Sequence, residues 1–187
     1  KGVAWAIGPQ QGRWMVMDIG GGSVEFIIVD GTEVCWYQSF PVGVAVLYSQ
    51  FHRTEPISEQ EIKQTQTFLR GQLAPLSLAL AQYPVHHLVG AAGTFDVLAE
   101  VLGGNQVTSN AIRLNLQAFD AFYQRVLACT REERYALANM PAVRAEMIVV
   151  ALILVQLVLQ QAGVTQVTVS RFSMKEGMLA QMIEATA

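Results

Sequence analysis

The chain has 187 residues, of which 52% are hydrophobic and 14% are charged, and its formal net charge is -3. That length accommodates a single domain with a sizeable core, and the lack of a basic block argues against a nucleic-acid-binding surface, which requires clustered Lys and Arg. The low charged fraction predicts a surface that is partly neutral or partly covered by something else.

The apolar composition raises the question of a membrane span. An apolar run over residues 147–159 is interrupted only by Gln156, but it is shorter than the roughly 20 residues that a spanning helix needs. We therefore predict a buried core helix and no membrane partner. Cys35 and Cys129 stand in apolar contexts and are interpreted as buried thiols of a reducing compartment, which predicts a cytoplasmic location.

The first elements along the chain are three predicted strands, at about residues 13–19, 23–30 and 32–40. Asp30-Gly31 is a two-residue hairpin signal, so we expect the third strand to pair back on the second. The strands mix alternating and continuous apolar stretches, which is typical of a sheet covered on both faces.

The turn between the first two strands suggests chemistry. Asp18 is followed after one residue by Gly20, Gly21, Gly22 and Ser23. Glycines without a Cβ atom let a ligand touch the backbone, and successive N–H groups form a nest for phosphate oxygens. Asp18 ends a buried strand and could hold a magnesium ion, which typically binds one or two carboxylates plus substrate phosphates. The alternative is a plain tight turn capped by Asp18, and the flanking strands favour the phosphate site.

A second small-residue turn follows the middle of the chain. A helical stretch at about 59–82, broken at Pro75, leads to a short buried strand at Val85–Gly90. The turn Gly90–Thr94 comes next, and a helix opens near Phe95. A strand, a turn of small residues and a helix N-terminus form a possible anion or nucleotide site. Alone this signal is weak, because any strand-to-helix link can use Gly-Thr as its cap.

The rest of the chain is predicted as a polar segment followed by helices and one more strand. Two capping boxes, Ser58 with Glu61 and Thr130 with Glu133, mark helix starts. The predicted elements are a polar segment through Asn110, helices at about 115–129 and 131–138, a long helix from Pro141 to about Gln161, a strand at Val164–Val169 and a last helix at Met174–Glu184.

The segment Asp18–Glu25 reads DIGGGSVE and resembles the signature D-I-G-G-G-S-T-E of the exopolyphosphatase and guanosine-pentaphosphate phosphohydrolase family, departing only at Val24. Further family strings occur in the same order at Ser39–Gly43, at Gly90, Gly93 and Thr94, at Thr130–Arg134, at Arg144–Ile148 and at Val169–Gly177. The departures are Glu146 for Asp, Ala151 for Gly, Ser173 for Gly and Lys175 for Arg.

The resemblance implies an α/β fold, a ribonuclease-H-like lobe of the actin, sugar-kinase and heat-shock-chaperone ATPase superfamily. Its mixed five-stranded sheet would have three antiparallel strands followed by two parallel ones, with helices on both faces. Residues 1–187 would form a single domain, the second of two lobes. The first, N-terminal lobe, with a catalytic Glu, would be a partner absent from this chain.

The same resemblance implies hydrolysis of phosphoanhydride bonds in inorganic polyphosphate or guanosine pentaphosphate. The glycine turn Gly20–Ser23 would bind phosphate, and Asp18 would be a catalytic residue and the ligand of Mg2+ or a similar cation. Glu25 would be a catalytic residue of the cleft whose carboxylate helps to orient the metal or water. Gly90, Gly93 and Thr94 would form the second glycine turn. We expect these 187 residues alone to be inactive or nearly so.

The sequence leaves several alternatives open. The chain could be a lobe of an ATP-dependent sugar or small-molecule kinase, or a non-catalytic module that binds a phosphorylated ligand or forms a homodimer. Glu25 could be an exposed strand residue, and Arg144 could serve an ion pair as well as a ligand. The histidine and cysteine spacings do not indicate a zinc site, and Ser23 lacks a nearby His for a hydrolase triad.

Overall fold

The computed structural model describes residues 2–173 and contains a mixed α/β fold within that range. The predicted helix at Met174–Glu184, and the family string beyond Ser173, lie outside the described residues. The elements in chain order are α1 (Gly2–Ile7), β1 (Arg13–Ile19), β2 (Val24–Asp30), β3 (Glu33–Phe40), α2 (Val44–Phe51), α3 (Glu59–Gln72), α4 (Ala74–Gln82), β4 (His87–Ala91), α5 (Gly93–Leu102), β5 (Gly104–Thr108), β6 (Ala111–Leu114), α6 (Leu116–Ala128), α7 (Arg131–Tyr135), α8 (Ala142–Ala145), α9 (Ile148–Ala162) and β7 (Gln166–Ser170).

The strands form one sheet in the order β3-β2-β1-β4-β7-β6-β5. β1, β2 and β3 pair antiparallel, and β1, β4 and β7 pair parallel. The predicted order of three antiparallel strands followed by two parallel ones is therefore confirmed. The Asp30-Gly31 hairpin is confirmed as well, since Asp30 pairs with Glu33 across a turn in which Gly31 has a φ of 58°.

The sheet has seven strands in the described part of the chain, so the predicted number of five is wrong. In the additional hairpin, β5 lies within the stretch that we predicted as a polar segment and β6 directly follows that stretch and pairs antiparallel with β7. Four of the five residues of β5 are exposed, so this edge strand has no buried face to impose an apolar alternation on its sequence. Its backbone pairing holds it in place instead.

The two faces of the sheet are covered unequally. The larger core lies between one face and helices α2 to α6 and α9, and it includes the fully buried Met15, Met17 and Phe26. On the other face α1 packs through Val3 and Ile7 against a smaller cluster of strand residues. Helices lie on both faces, as predicted. No helix within residues 2–173 is long and apolar enough to cross a membrane.

Two helical stretches are interrupted, and the sequence predicts only one of the interruptions. The predicted break at Pro75 is confirmed, because α3 ends at Gln72 and α4 starts at Ala74, with Pro75 in its first turn. The single long helix predicted from Pro141 is wrong. It is divided into α8 and α9 at Met147, whose φ of -103° and ψ of 0° interrupt the helix. Both capping boxes are present.

Candidate functional site

The sheet register brings the two glycine turns to the same end of the sheet, at the carboxyl ends of β1 and β4. Asp18 at the end of β1 lies opposite Glu25 on β2 and opposite Ala91 on β4. The row continues to Ser39 on one side and to Ser170 on the other. Ligands of open α/β sheets bind beyond the carboxyl ends of the parallel strands, and both turns begin there.

Asp18 and Glu25 form a pair of carboxylates on one face of this row. Residues directly opposite in an antiparallel pair have Cα atoms about 4.5–5.5 Å apart. The Oε1 atom of Glu25 accepts hydrogen bonds from the hydroxyls of Ser23 and Ser39, each at 2.6 Å. Such short, charge-assisted bonds hold the carboxylate in one orientation, so Glu25 is not a freely exposed strand residue.

The donor set of the pair fits a hard divalent cation. Asp18 is 8% exposed, and both residues carry carboxylate oxygens, which are the ligands that such a cation prefers. Magnesium keeps several waters and binds through one or two carboxylates plus substrate phosphates, without an all-protein cage. A group of three or more His, Cys, Asp and Glu side chains suited to a metal does not occur within residues 2–173. The site thus fits an ion that a phosphate ligand helps to hold.

The glycine turn points its carbonyl groups at the start of α2. The carbonyl oxygens of residues 20–22 accept backbone hydrogen bonds of 2.9–3.2 Å from residues 43–45. A trans peptide directs its C=O and N–H groups to opposite sides, so the N–H groups of Gly21, Gly22 and Ser23 point away from α2. Both Gly21 and Gly22 are exposed. These successive N–H groups make the turn a candidate for binding an anion.

Gly43 allows this close approach of helix and turn. A Cβ atom built at Gly43 would lie 2.4 Å from the carbonyl carbon and oxygen of Gly21, a distance at which atoms overlap. Ser39 holds Glu25 and Gly43 makes room for the first glycine turn, so both end residues of the Ser39–Gly43 string have structural roles. Sequence reasoning identified the string by resemblance but assigned neither residue a role.

The second glycine turn is built differently from the first. A Cβ at Gly90 would lie 2.0 Å from the ring of Phe95, so this glycine permits β4 to pack against α5. Thr94 is 5% exposed in the first turn of α5. A Cβ at Gly93 would lie 2.4 Å from the guanidinium carbon of Arg144. Of the three predicted positions, Gly93 is the one that meets a charged group.

Arg144 is a cation that the fold brings to the second glycine turn. It lies on α8, is exposed, and rests against Gly93. No carboxylate within residues 2–173 lies at ion-pair distance from its guanidinium. A planar guanidinium that has no carboxylate partner among the described residues suits a phosphate. The sequence left Arg144 undecided because the approach of α8 to α5 is a tertiary contact that no local pattern reports.

Ala92 carries backbone strain in the second turn. Its φ of 62° and ψ of 173° lie in a region that is essentially restricted to glycine. The residue is the N-cap of α5, and its carbonyl accepts a hydrogen bond of 2.9 Å from the N–H of Phe95. Such strain clusters at binding and catalytic sites, and an alanine gives no signal of it in the sequence.

His87 lies away from this edge, at the opposite end of β4 from Ala91. Its Nε2 atom is 2.9 Å from the hydroxyl of Thr168. Burial, with a further contribution from the charge of Arg113, lowers its pKa from 6.5 to about 4. His87 is therefore a neutral residue of the sheet.

Cys35 and Cys129 are free thiols, the first half-buried and the second buried.

The chain matches known proteins along its length. The model of the Ppx/GppA phosphatase family matches residues 1–186. Exopolyphosphatase 2 of Mycobacterium tuberculosis is 27% identical over 186 residues, which are 95% of this chain and 58% of that protein.

Solved structures agree with the predicted fold. The crystal structure of an exopolyphosphatase from Cytophaga hutchinsonii has a TM-score of 0.91 at 36% identity, covering 98% of this chain and 61% of that one. The Aquifex aeolicus member of the Ppx/GppA family has a TM-score of 0.84 at 24% identity, covering 98% and 60%, and at that identity it shows the fold alone. The predicted fold class is confirmed. The chain spans about three fifths of the length of these relatives.

Proposed function

Because the chain belongs to the Ppx/GppA phosphatase family, we propose that it supplies one lobe of an enzyme that hydrolyses the phosphoanhydride bonds of inorganic polyphosphate. The relatives from M. tuberculosis and C. hutchinsonii are named exopolyphosphatases. Guanosine pentaphosphate presents the same bonds and is the second substrate that we propose to test. The remaining length of the relatives corresponds, in this proposal, to the first lobe, which would close a cleft over the site.

The observation that carries the proposal is that three kinds of group suited to phosphate chemistry lie near the carboxyl ends of β1 and β4. The first glycine turn offers N–H groups, Asp18 and Glu25 offer paired carboxylates, and Arg144 offers a cation. Phosphoryl transfer is catalysed mainly by positioning and charge neutralisation. The N–H groups and Arg144 would position the phosphates and neutralise their charge directly, and the carboxylates would do so through a bound cation.

In the proposed mechanism the N–H groups of Gly21, Gly22 and Ser23 bind the terminal phosphate. The Ser23 hydroxyl donates to Glu25, so the backbone N–H is what Ser23 contributes. Asp18 would hold Mg2+, which would neutralise charge on the phosphate oxygens when bound. Glu25, fixed by Ser23 and Ser39, would orient water beside Asp18.

The chemical step is an in-line displacement. A water oxygen bonds to the terminal phosphorus as the bond from phosphorus to the bridging oxygen breaks, so that orthophosphate leaves and the shortened chain keeps that oxygen. The proton of the water passes to a base, which the family resemblance assigns to a Glu of the first lobe. Arg144 would hold a second phosphate of the substrate at the second glycine turn.

The first test is Asp18→Asn in the full-length protein, assayed with Mg2+ for phosphate release from polyphosphate and guanosine pentaphosphate and for turnover of ATP in the presence of a sugar. We expect release from at least one of the first two, and a loss of about 100-fold or more in kcat in the variant, because an electrostatic contribution of this kind is worth ~3 kcal/mol or more.

Asp30→Asn is the matched control. Asp30 lies on the same hairpin but is exposed and paired with Arg13 at 3.0 Å, so its loss should leave the rate within about twofold, as expected for an exposed ion pair. Turnover of ATP with a sugar, together with silence on polyphosphate and guanosine pentaphosphate, would replace the proposal with a kinase lobe. Silence on all three substrates would favour a binding module, and full activity of Asp18→Asn would remove Asp18 from the mechanism.

A further inference from the structure

Helix α8 is a single turn, Ala142–Ala145, that carries Arg144 to the second glycine turn. So short a helix has no stability of its own, and its position must come from its neighbours. Two side chains hold its carboxyl end. Arg134 donates from Nε to the carbonyl oxygen of Ala145 at 3.0 Å, and Glu146, the next residue, is held from two other helices.

Arg134 is fully buried, and its hydrogen bonds are all structural. It donates to both carboxylate oxygens of Glu55, at 2.6 and 2.7 Å, and to the carbonyl oxygen of Cys129 at 3.1 Å. Burial raises the pKa of Glu55, but the hydrogen bonds and charge of Arg134 outweigh it and lower that pKa. Burying such a cation seldom gains stability over apolar packing, and one attested use of it is to fix a single geometry. Here the geometry it fixes is that of α8.

Glu146 connects α8 to the first glycine turn. Its Oε1 atom accepts a hydrogen bond of 3.1 Å from the hydroxyl of Tyr48 on α2 and lies 3.0 Å from the guanidinium of Arg131 on α7. The same helix α2 binds the carbonyl groups of the first glycine turn at its N-terminus. A continuous path of contacts therefore runs from that turn through α2 and Glu146 to Arg144 and the second turn.

We infer that Glu146 is a positioning residue, which by bridging Tyr48 to α8 sets the distance between the Arg144 guanidinium and the first glycine turn. The inference rests on the proposed function, in which a polyphosphate chain has its terminal phosphate at the first turn and a further phosphate at Arg144. Because that further phosphate does not react, misplacing Arg144 weakens binding more than it slows the chemical step.

The alternative role for Glu146 is local, as a stabiliser of the break between α8 and α9. A local role would lower the melting temperature without involving Arg144. A positioning role acts only through Arg144, so removing Arg144 must abolish the effect of changing Glu146. A double-mutant cycle separates the two.

The experiment uses the full-length protein with Glu146→Ala, Arg144→Ala and the double variant. KM and kcat are measured with inorganic polyphosphate, and the dissociation constant of tripolyphosphate is measured by calorimetry. We expect Glu146→Ala to raise KM about three- to tenfold with kcat nearly unchanged, in the range of couplings between linked residues. The double variant should match Arg144→Ala alone.

Two further variants keep the test decisive. Glu59→Ala removes an exposed Glu, which is 92% accessible and lies 3.8 Å from Lys63, and should leave KM unchanged. Tyr48→Phe removes a single hydroxyl while Arg131 stays in place, and it serves if Glu146→Ala fails to fold. It should raise KM in the same direction as Glu146→Ala, and the rise should vanish in the Arg144→Ala background.

Additive effects of Glu146→Ala and Arg144→Ala on KM would overturn the inference, as would an unchanged KM in both Glu146→Ala and Tyr48→Phe. If the unmodified protein releases no phosphate from polyphosphate, the proposed function fails. The inference about Glu146 is then decided separately by the double-mutant cycle measured as dissociation constants of tripolyphosphate. Tripolyphosphate that binds the unmodified protein no more tightly than Arg144→Ala would overturn it too.

Discussion

Ala92 adopts a backbone conformation that suits glycine, at the point where β4 passes into α5. Holding a residue with a Cβ atom in this region costs about 1–3 kcal/mol. The surrounding contacts impose it, because the Ala92 carbonyl must face the N–H groups of Phe95 and Asp96 while the preceding residue stays in the sheet. The strain is local to the second glycine turn.

Replacing Ala92 by glycine should therefore stabilise the protein. The relief of strain exceeds the roughly 0.4–1 kcal/mol that glycine loses through the entropy of the unfolded chain, so we expect the free energy of unfolding to rise by about 1 kcal/mol. Urea unfolding measures it. The matched control is Ala121→Gly, an exposed position inside α6, which should lose about 1 kcal/mol. Equal losses at both positions would show that Ala92 is not strained.

The residues of the site differ in how far the sequence could predict them. Asp18 and the glycines after it are close together in the sequence, so their proximity in space could be predicted directly. The placement of Glu25 beside Asp18 follows from the hairpin register. The contact of Arg144 with Gly93 joins positions far apart in sequence and depends on the packing of α8, which no periodicity reveals.

At the scale of elements, the segment between α2 and α3 is fastened by one carboxylate. Glu61 accepts hydrogen bonds from the backbone N–H groups of Arg53, Thr54 and Ser58, and from the hydroxyls of Thr54 and Ser58. Burial raises the pKa of Glu61, but these hydrogen bonds outweigh it and lower that pKa from 4.5 to about 2. The ionised form is therefore the one that the fold stabilises.

The pH dependence of stability follows in sign from this lowered pKa. The stabilisation by Glu61 is complete above its unfolded-state pKa of 4.5 and is lost as the pH falls toward the folded-state value of about 2. We expect Glu61→Gln to unfold at a lower urea concentration than the unmodified protein near neutral pH, with the difference shrinking across that window. The exposed Glu59→Gln is the control. A difference that is constant with pH would remove the ionised carboxylate as its source.

The elements that could be predicted share a physical property. β1, β2, β4 and β7 have buried residues along most of their length, so burial shaped their sequences. β5 is exposed and held by its backbone, and polar residues there are compatible with strand or loop. The break between α8 and α9 falls on Glu146 and Met147. Both are good helix formers, so the local sequence does not predict a break, and the contacts of Glu146 with other helices maintain it.

The whole molecule presents one well-covered sheet face and one that α1 covers among the described residues. Exposed apolar residues include Tyr37, at 75% accessibility, and Val34, at 59%. Both lie on the edge strand β3, opposite Ile27 and Val29, which belong to the α1 face. This distribution is in keeping with the small charged fraction of the chain.

Residues 1–187, prepared alone, should release phosphate from polyphosphate at least about 1000-fold more slowly than the full-length protein, because the proposed base for the attacking water lies in the first lobe and general-base catalysis and positioning each contribute factors of this size. Circular dichroism would confirm that the isolated residues are folded. Metal-dependent release at the full-length rate would show that the complete catalytic set lies within these residues.

The anchoring of the first glycine turn has a consequence for affinity. Because the carbonyl groups of residues 20–22 are already bonded to the start of α2, the loop is ordered before any ligand arrives. A flexible glycine loop would lose about 1–2 kcal/mol per residue of backbone entropy on closing around a phosphate. A preorganised loop incurs that cost during folding, so more of its interaction with the anion appears as binding free energy.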